Sequence, residues 1–436
     1  MPWSSNVKRF PKYLSWLILI SVISFLPCSC VFNENADDPV ERTVLVYVSA
    51  DNNLAPNAFN NLNDIKRGVK EYVGYSNMVV FMDTPGRESV LLQINRNSVD
   101  TLVAYGKQLD STDPKVLKSA IDYIIDNYES DSYGLIMWSH GTGWLPGSKM
   151  HALANNYGYI QRRGGMEPHA TGNLYDYYFN GTKAFALEGN QGEFRYMELD
   201  DMADAIPDNT FDFIIFDACF MSNVEVAYAL RNKCRYFVGS AYEIVGSGFP
   251  YRKITSHLLN GNLIRVCHGF YDYYNSMSGW TKMGGIAIIR TDKLEALAGS
   301  FSKIVQNSKD AVHDIDLDIL DEEEAIQFFD CFNHHVFYDL EDLADYLCDD
   351  DELMNEFRTS LQDCVMFSKS TDCIFKGKRK YDSDNDPQYE IKIKSYCGLS
   401  VFIPAKKFDK MGVTPEDTLG LNEEYRKTEW SIATGY

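Results

Sequence analysis

Positive charge is scarce in this chain: 41 Lys and Arg stand against 62 Asp and Glu, a formal net charge of −21 over 436 residues. A phosphate backbone needs the opposite balance, so nucleic acid is excluded as a partner. A basic substrate, or a basic residue within one, is the better electrostatic match. Metal-ligating spacings are missing too. There is no Cys-x-x-Cys pair and no His-Glu-x-x-His, and His334 and His335 are adjacent rather than one helical turn apart, so no metal site is assigned. Asp382-Ser383-Asp384-Asn385-Asp386 begins like a calcium loop. Pro387 then stands where the sharp-turn glycine belongs and Ile393 where the bidentate glutamate belongs, which leaves a solvated turn. The ten cysteines form no regular framework, and a chain of this length has core enough without disulfides. No internal repeat is evident. Apolar residues at 45% and charged residues at 24% exclude a wholly disordered chain and a polytopic membrane protein.

What is present starts with an address. Lys8, Arg9 and Lys12 precede an apolar run from Leu14 to Leu26, too short to span a bilayer and suited to a signal-peptide core. The run ends in Leu26-Pro27-Cys28-Ser29-Cys30. This segment resembles a bacterial lipoprotein signal, with Pro27 departing from the usual leucine-like residue. The resemblance implies that residues 1–29 are removed, that Cys30 carries lipid after the small Ser29, and that residues 30–41 are a linker. It places the protein in a bacterial cell envelope, lipid-anchored at the outer membrane or cell surface, or secreted.

The body alternates strand and helix. Continuous apolar runs of strand length occur at 43–48, 78–82, 133–138, 211–216, 236–239 and 286–289. Asp113-Pro114 opens a helix with Leu117, Ile121, Ile124, Ile125 and Tyr128 on one face. Met197 to Ile206 has helical period, and Ser222-Asn223-Val224-Glu225 reads as a capping box. Unbroken apolar strands separated by helices predict a largely parallel sheet covered on both faces. The expected organisation is a catalytic core over 42–290 and a mostly helical C-terminal subdomain over 291–436 that returns a strand near 398–403.

Functional residues in such folds sit just past the C-terminal ends of strands. The third run leads into Trp138-Ser139-His140-Gly141-Thr142-Gly143-Trp144, the fourth into Asp217-Ala218-Cys219-Phe220-Met221-Ser222. A histidine and a cysteine thus leave the same edge of one sheet. Cysteine chemistry needs a proton shuttle and an electropositive setting for the thiolate. The helix after Cys219 is expected to supply that setting, and the glycines beside His140 let main-chain N–H groups approach a carbonyl.

These segments, with Leu45-Val46-Tyr47-Val48-Ser49-Ala50-Asp51-Asn52-Asn53-Leu54, Met197-Glu198-Leu199-Asp200-Asp201 and Cys397-Gly398-Leu399-Ser400-Val401-Phe402-Ile403-Pro404, resemble the clostripain family of cysteine peptidases. The resemblance covers most of residues 43–436. It implies a caspase-like α/β three-layer sandwich and a His140–Cys219 dyad, in which Cys219 attacks the scissile carbonyl and His140 protonates the leaving amine. Main-chain N–H groups of Gly141 and Cys219 would hold the oxyanion. It further implies cleavage after Arg or Lys, with Asp217 and Glu243 as candidate substrate-binding acids, and the use of calcium by some members. Acidic candidates for that ion run from Asp314 to Glu324, and none is assigned. Between Leu145 and Glu193 the sequence has no clear period, and Lys149, Arg162 and Arg163 there are candidate self-processing sites. Two rival readings are a non-catalytic binding lipoprotein on the same scaffold and a transpeptidase that resolves the thioester with an amine.

Overall fold

The structure, a computed structural model, describes residues 42–147, 185–188, 195–308, 312, 315–322, 325–330, 332, 335–376, 389–409 and 420–436. Lys149, Arg162, Arg163, Cys30 and the 382–386 acidic run lie outside them. Residues 40–436 make one compact unit.

Five buried runs form the middle of the sheet. β1 (Arg42–Ser49) pairs in parallel with β2 (Asn77–Asp83) on one side. On its other side lies β5 (Ser132–Trp138), followed by β8 (Phe211–Asp217) and β9 (Cys234–Gly239), all parallel. Their apolar residues are buried on both faces, as in Val44 to Tyr47 and Phe213 to Phe216. That is why they read as continuous rather than alternating runs. The expected strand at 286–289 is β10 (Gly285–Arg290), which joins β9 antiparallel.

Both sheet edges escape the sequence reading. β3 (Val90–Ile94) and β4 (Val99–Ala104) extend one edge as an antiparallel ladder. β4 is mostly exposed, so it lacks the apolar run that marked the central strands. β12 (Val365–Ser370) closes the other edge against β10. The full order is β12-β10-β9-β8-β5-β1-β2-β3-β4. Shorter pairs join β6 (Phe185–Glu188) to β7 (Arg195–Met197), β11 (Tyr338–Asp339) to β15 (Ser400–Val401), and β13 (Cys373–Lys376) to β14 (Tyr389–Lys392).

Helices cover both faces. One layer packs α1 (Ala55–Glu71) on α5 (Tyr251–Leu259), which also contacts α6 (Leu263–Asn275). The other layer links α2 (Pro114–Asn127), α3 (Leu199–Ala205), α4 (Val224–Ala229), α10 (Glu429–Thr434), α7 (Leu294–Asn307) and α9 (Asp351–Cys364) in a chain of contacts. α2 starts as expected: Asp113 accepts from Lys115 N, Pro114 fills the first turn, and Leu117, Ile121 and Ile124 are buried.

The capping box expected over Ser222–Glu225 does not form. Asn223 is the N-cap and makes no side-chain cap bond. Its neighbours are recruited by a segment 177 residues away. Ser222 Oγ donates to the Gly398 carbonyl (2.6 Å), Ser400 N–H donates to the Ser222 carbonyl (3.0 Å), and Phe402 N–H donates to Glu225 Oε1 (3.0 Å). Asp339 grips the same segment from β11, accepting from Cys397 N–H (2.8 Å), and its other oxygen caps α8 (Leu340–Leu347).

Glu225 and Asp339 are buried carboxyls, and burial pushes them up, to about 8 and about 7. A group held above its unfolded value binds its proton more tightly in the fold. The stability it contributes is therefore complete below the unfolded value, 4.5 for Glu225 and 3.8 for Asp339, and lost as pH rises through 7 to 8. His140, buried and pushed down to about 4, opposes this trend only below pH 6.5. The melting temperature should therefore fall between pH 6.5 and 8.5, by an amount equivalent to about 2 kcal/mol or more. Glu225→Gln should flatten that decline in a calorimetric pH series. A decline of equal slope in the variant would contradict it.

Candidate active site

The register of two strands sets the site. Trp138, the last residue of β5, pairs with Asp217, the last of β8, and Ser139 N–H continues the ladder to the Asp217 carbonyl (3.3 Å). His140 and Cys219 each lie two residues beyond that pair. Gly141 packs directly on the second loop: a Cβ there would lie 2.5 Å from the Cys219 carbonyl oxygen and 2.9 Å from Ala218 Cβ. Only glycine lets the two loops meet so closely.

Cys219 stands on a sharp bend. Phe220 adopts φ of 59°, an unusual left-handed conformation for a bulky residue. It costs on the order of 1–3 kcal/mol, offset by stacking of Phe220 on Phe337 (4.7 Å) and by donation of its N–H to the Tyr242 carbonyl (3.2 Å). Behind the histidine loop, Trp144 is buried against Phe402 and Tyr425. Among the described residues, no main-chain carbonyl takes up the N–H of Gly141 or of Cys219.

The two chemical groups are held by different partners. His140 is buried, and burial leaves its imidazole neutral, pushed down to about 4. Its Nε2 lies 2.8 Å from Asn53 Oδ1. An amide oxygen only accepts, so Nε2 carries the proton and Nδ1 keeps its lone pair. Asn53 comes from the turn after β1, where Asn52 Oδ1 accepts from Leu54 N–H (2.8 Å) and Ser139 Oγ reaches back to the Ser49 carbonyl (2.8 Å). Sequence reasoning quoted this turn without giving Asn53 a role. Nothing in its spacing from residue 140 could reveal one, because the contact depends on β1 lying beside β5.

Cys219 is half-buried, and its sulfur is bracketed by the backbone of one residue: Ile244 N–H donates to Sγ (3.3 Å) and Sγ–H donates to the Ile244 carbonyl (3.7 Å). Burial and the Glu243 and Asp217 carboxylates push the thiol up to about 12. The electropositive setting expected from the following helix is absent. α4 has six residues and begins five residues after Cys219, too short and too far to lower the thiol. No hydrogen bond joins His140 to Cys219.

The two candidate substrate acids differ. Asp217 is buried, pushed up to about 6 by that burial, and its Oδ2 accepts from Phe249 N–H (3.0 Å) and the Tyr251 hydroxyl (2.9 Å). A Cβ at Gly248, which has φ of 66°, would fall 2.7 Å from that oxygen. Asp217 therefore ties down the loop 245–251. Glu243 is half-buried, forms no hydrogen bond or ion pair among the described residues, and is pushed up to about 7 by burial and by Asp330. Asp330 is itself filled by the N–H groups of Phe332, Val336 and Phe337 and by His335 Nδ1 (2.9 Å).

Calcium finds no shell among the described residues: no three His, Cys, Asp or Glu side chains converge there. Asp321 is engaged by the Tyr338 hydroxyl (2.8 Å).

A mostly parallel sheet between two helical layers, with a histidine and a cysteine leaving adjacent strand ends, is the caspase-like three-layer sandwich. The chain belongs to the clostripain family, whose sequence model matches residues 46–164 and 166–403. It is 27% identical over 260 residues to the clostripain of Hathewaya histolytica, an alignment spanning 52% of this chain and 44% of that protein's length. Among solved structures it resembles an inactive zymogen C11 protease from Parabacteroides distasonis (26% identity, TM-score 0.70, 91% of this chain and 99% of that one). It shares its fold with a secreted C11 cysteine protease from Bacteroides thetaiotaomicron, solved with an irreversible peptide inhibitor (24% identity, TM-score 0.67, the same coverage).

Asn53→Ala should leave the fold intact but free the ring, lowering kcat about ten- to hundred-fold with little change in KM. Asn53→Asp should place a carboxylate on Nε2–H and raise the His140 titration by about one unit or more, read by NMR. An unchanged kcat in the alanine variant would show that the amide does not position the ring.

Proposed function

We propose that the protein is an exported cysteine endopeptidase acting through His140 and Cys219. The observation that carries this reading is the in-register pair Trp138 and Asp217, beyond which His140 and Cys219 each follow by two residues at neighbouring strand ends. In this reading the thiol proton passes to the neutral imidazole of His140 as Sγ attacks the scissile carbonyl carbon. Charge develops on the carbonyl oxygen, which the N–H groups of Gly141 and Cys219 receive. His140 then returns the proton to the leaving amine as the C–N bond breaks, and water resolves the thioester. Asn53 holds the ring in the tautomer that this sequence needs.

A strongly acidic protein with Asp217 and Glu243 beside the nucleophile suits a substrate carrying Arg or Lys at the cleaved bond. Self-cleavage after Lys149, Arg162 or Arg163 would open the site. The related chain from Parabacteroides distasonis is described as an inactive zymogen, which favours activation by such a cut. Removal of residues 1–29 with lipidation of Cys30 would tether the enzyme to the envelope through the 30–41 linker. The catalytic core over 42–290 and the subdomain over 291–436 remain part of this reading. Within it, the segment 397–402 braces the loop that bears Cys219.

Cys219→Ala removes the covalent step at small packing cost, so amide cleavage should fall at least about a thousand-fold. N-terminal sequencing of the purified proteins should find two chains in the wild type and one intact chain in the variant. Cleavage retained in Cys219→Ala would end the peptidase reading. An intact, fully active wild-type chain would end self-processing alone.

A further inference from the structure

The residues around Cys219 are chemically one-sided. Asp217 lies two positions before it at the end of β8, and Glu243 directly precedes Ile244, whose N–H and carbonyl bracket its sulfur. Asp330, in the loop before β11, raises Glu243 further, and the Tyr274 hydroxyl of α6 donates to the Gly248 carbonyl (2.6 Å). His140 is neutral. Among the described residues, no cationic side chain acts on the thiol. A cysteine nucleophile in such a place gains its thiolate only if something positive arrives.

Of the acids, only Glu243 is uncommitted. Asp217 already holds Phe249 and Tyr251, and Asp330 holds three N–H groups and His335. Glu243 is half-exposed and has no hydrogen-bond or ion-pair partner among the described residues. An unpaired, partly desolvated carboxylate is costly unless a cation completes it. We propose that Glu243 is a charge gate: unpaired, it adds to burial in keeping the proton on Cys219, and pairing with the guanidinium or ammonium of a bound substrate removes that addition and eases transfer of the proton to His140. Substrate charge thereby acts on the nucleophile itself as well as on affinity. A neutral substrate of the same shape would bind beside a nucleophile still carrying its proton. The inference rests on Cys219 being the nucleophile, and it goes further by making the same acid responsible for specificity and for activation.

The test is the alkylation rate of Cys219 by iodoacetamide as a function of pH, read on its own peptide by mass spectrometry so that the other cysteines do not contribute. Glu243→Gln should move the midpoint of that profile down by about one unit, a roughly tenfold gain in reactivity at fixed pH on its acid side. Methylguanidinium should accelerate alkylation severalfold in the wild type and have little effect in Glu243→Gln. Because Glu243 makes no hydrogen bond, the substitution is not expected to unfold the chain, and Glu243→Ala serves as a second version. Equal midpoints in wild type and both variants would overturn the gate, as would methylguanidinium slowing alkylation or acting equally in all three proteins. Amide cleavage by Cys219→Ala, assayed alongside, separates the two ideas. If it is lost while the Glu243 variants leave the profile unmoved, only the gate fails; if it is retained, the peptidase reading fails.

Discussion

Everything at the candidate site depends on one alignment, the parallel pairing that sets the last residue of β5 opposite the last residue of β8. Parallel strands cannot be joined by a short turn, so their relative register is set by core packing and by the helices that cover them. A slip of one residue would put the alternate face of β8 toward the wrong layer and move Cys219 away from the histidine loop. Phe213 to Phe216 are all fully buried, so such a slip would exchange close-packed phenylalanines and isoleucines between the two layers. Precision at the sulfur is thus set by side chains several residues away.

Much of this was legible in the sequence, and the reasons are physical. Strands buried on both faces print themselves as unbroken apolar runs, so the six runs read at 43–48, 78–82, 133–138, 211–216, 236–239 and 286–289 all correspond to strands. Asp113-Pro114 carries its helix start in two adjacent residues. His140 and Cys219 were visible because each follows such a run. The rest depends on tertiary contacts that no local pattern encodes. β4 is mostly exposed and has no run to show. Ser222 and Glu225 have the right spacing for a capping box, yet residues 398–402 claim both. Asn53 meets His140 only because β1 neighbours β5. The helix after Cys219 was legible, but not that it would be too short to act on the sulfur.

The electrostatic character of the molecule is consistent across scales. A chain of net charge −21 would be expected to repel anions, and the nucleophile's surroundings repeat that bias within a few residues of it. Burial compounds it, because a desolvated carboxylate, thiol or imidazole each prefers its uncharged form. Glu225, Asp217, Glu243, Cys219 and His140 are all displaced in that direction. The carboxyl, thiol and imidazole groups of the site are thus all biased toward their uncharged forms, which costs the fold less than a ready-made ion pair would.

The strap formed by residues 397–402 has a consequence for biogenesis. Its bonds to Ser222 and Glu225 bridge about 177 positions, so they are among the last contacts that a chain made from its N-terminus can form. Such long-range closures are slow and come late. A ribosome-bound chain that already contains both reactive residues still lacks the brace for the segment that follows the Cys219 bend. The support around both reactive residues is therefore complete only when the C-terminal segment is in place.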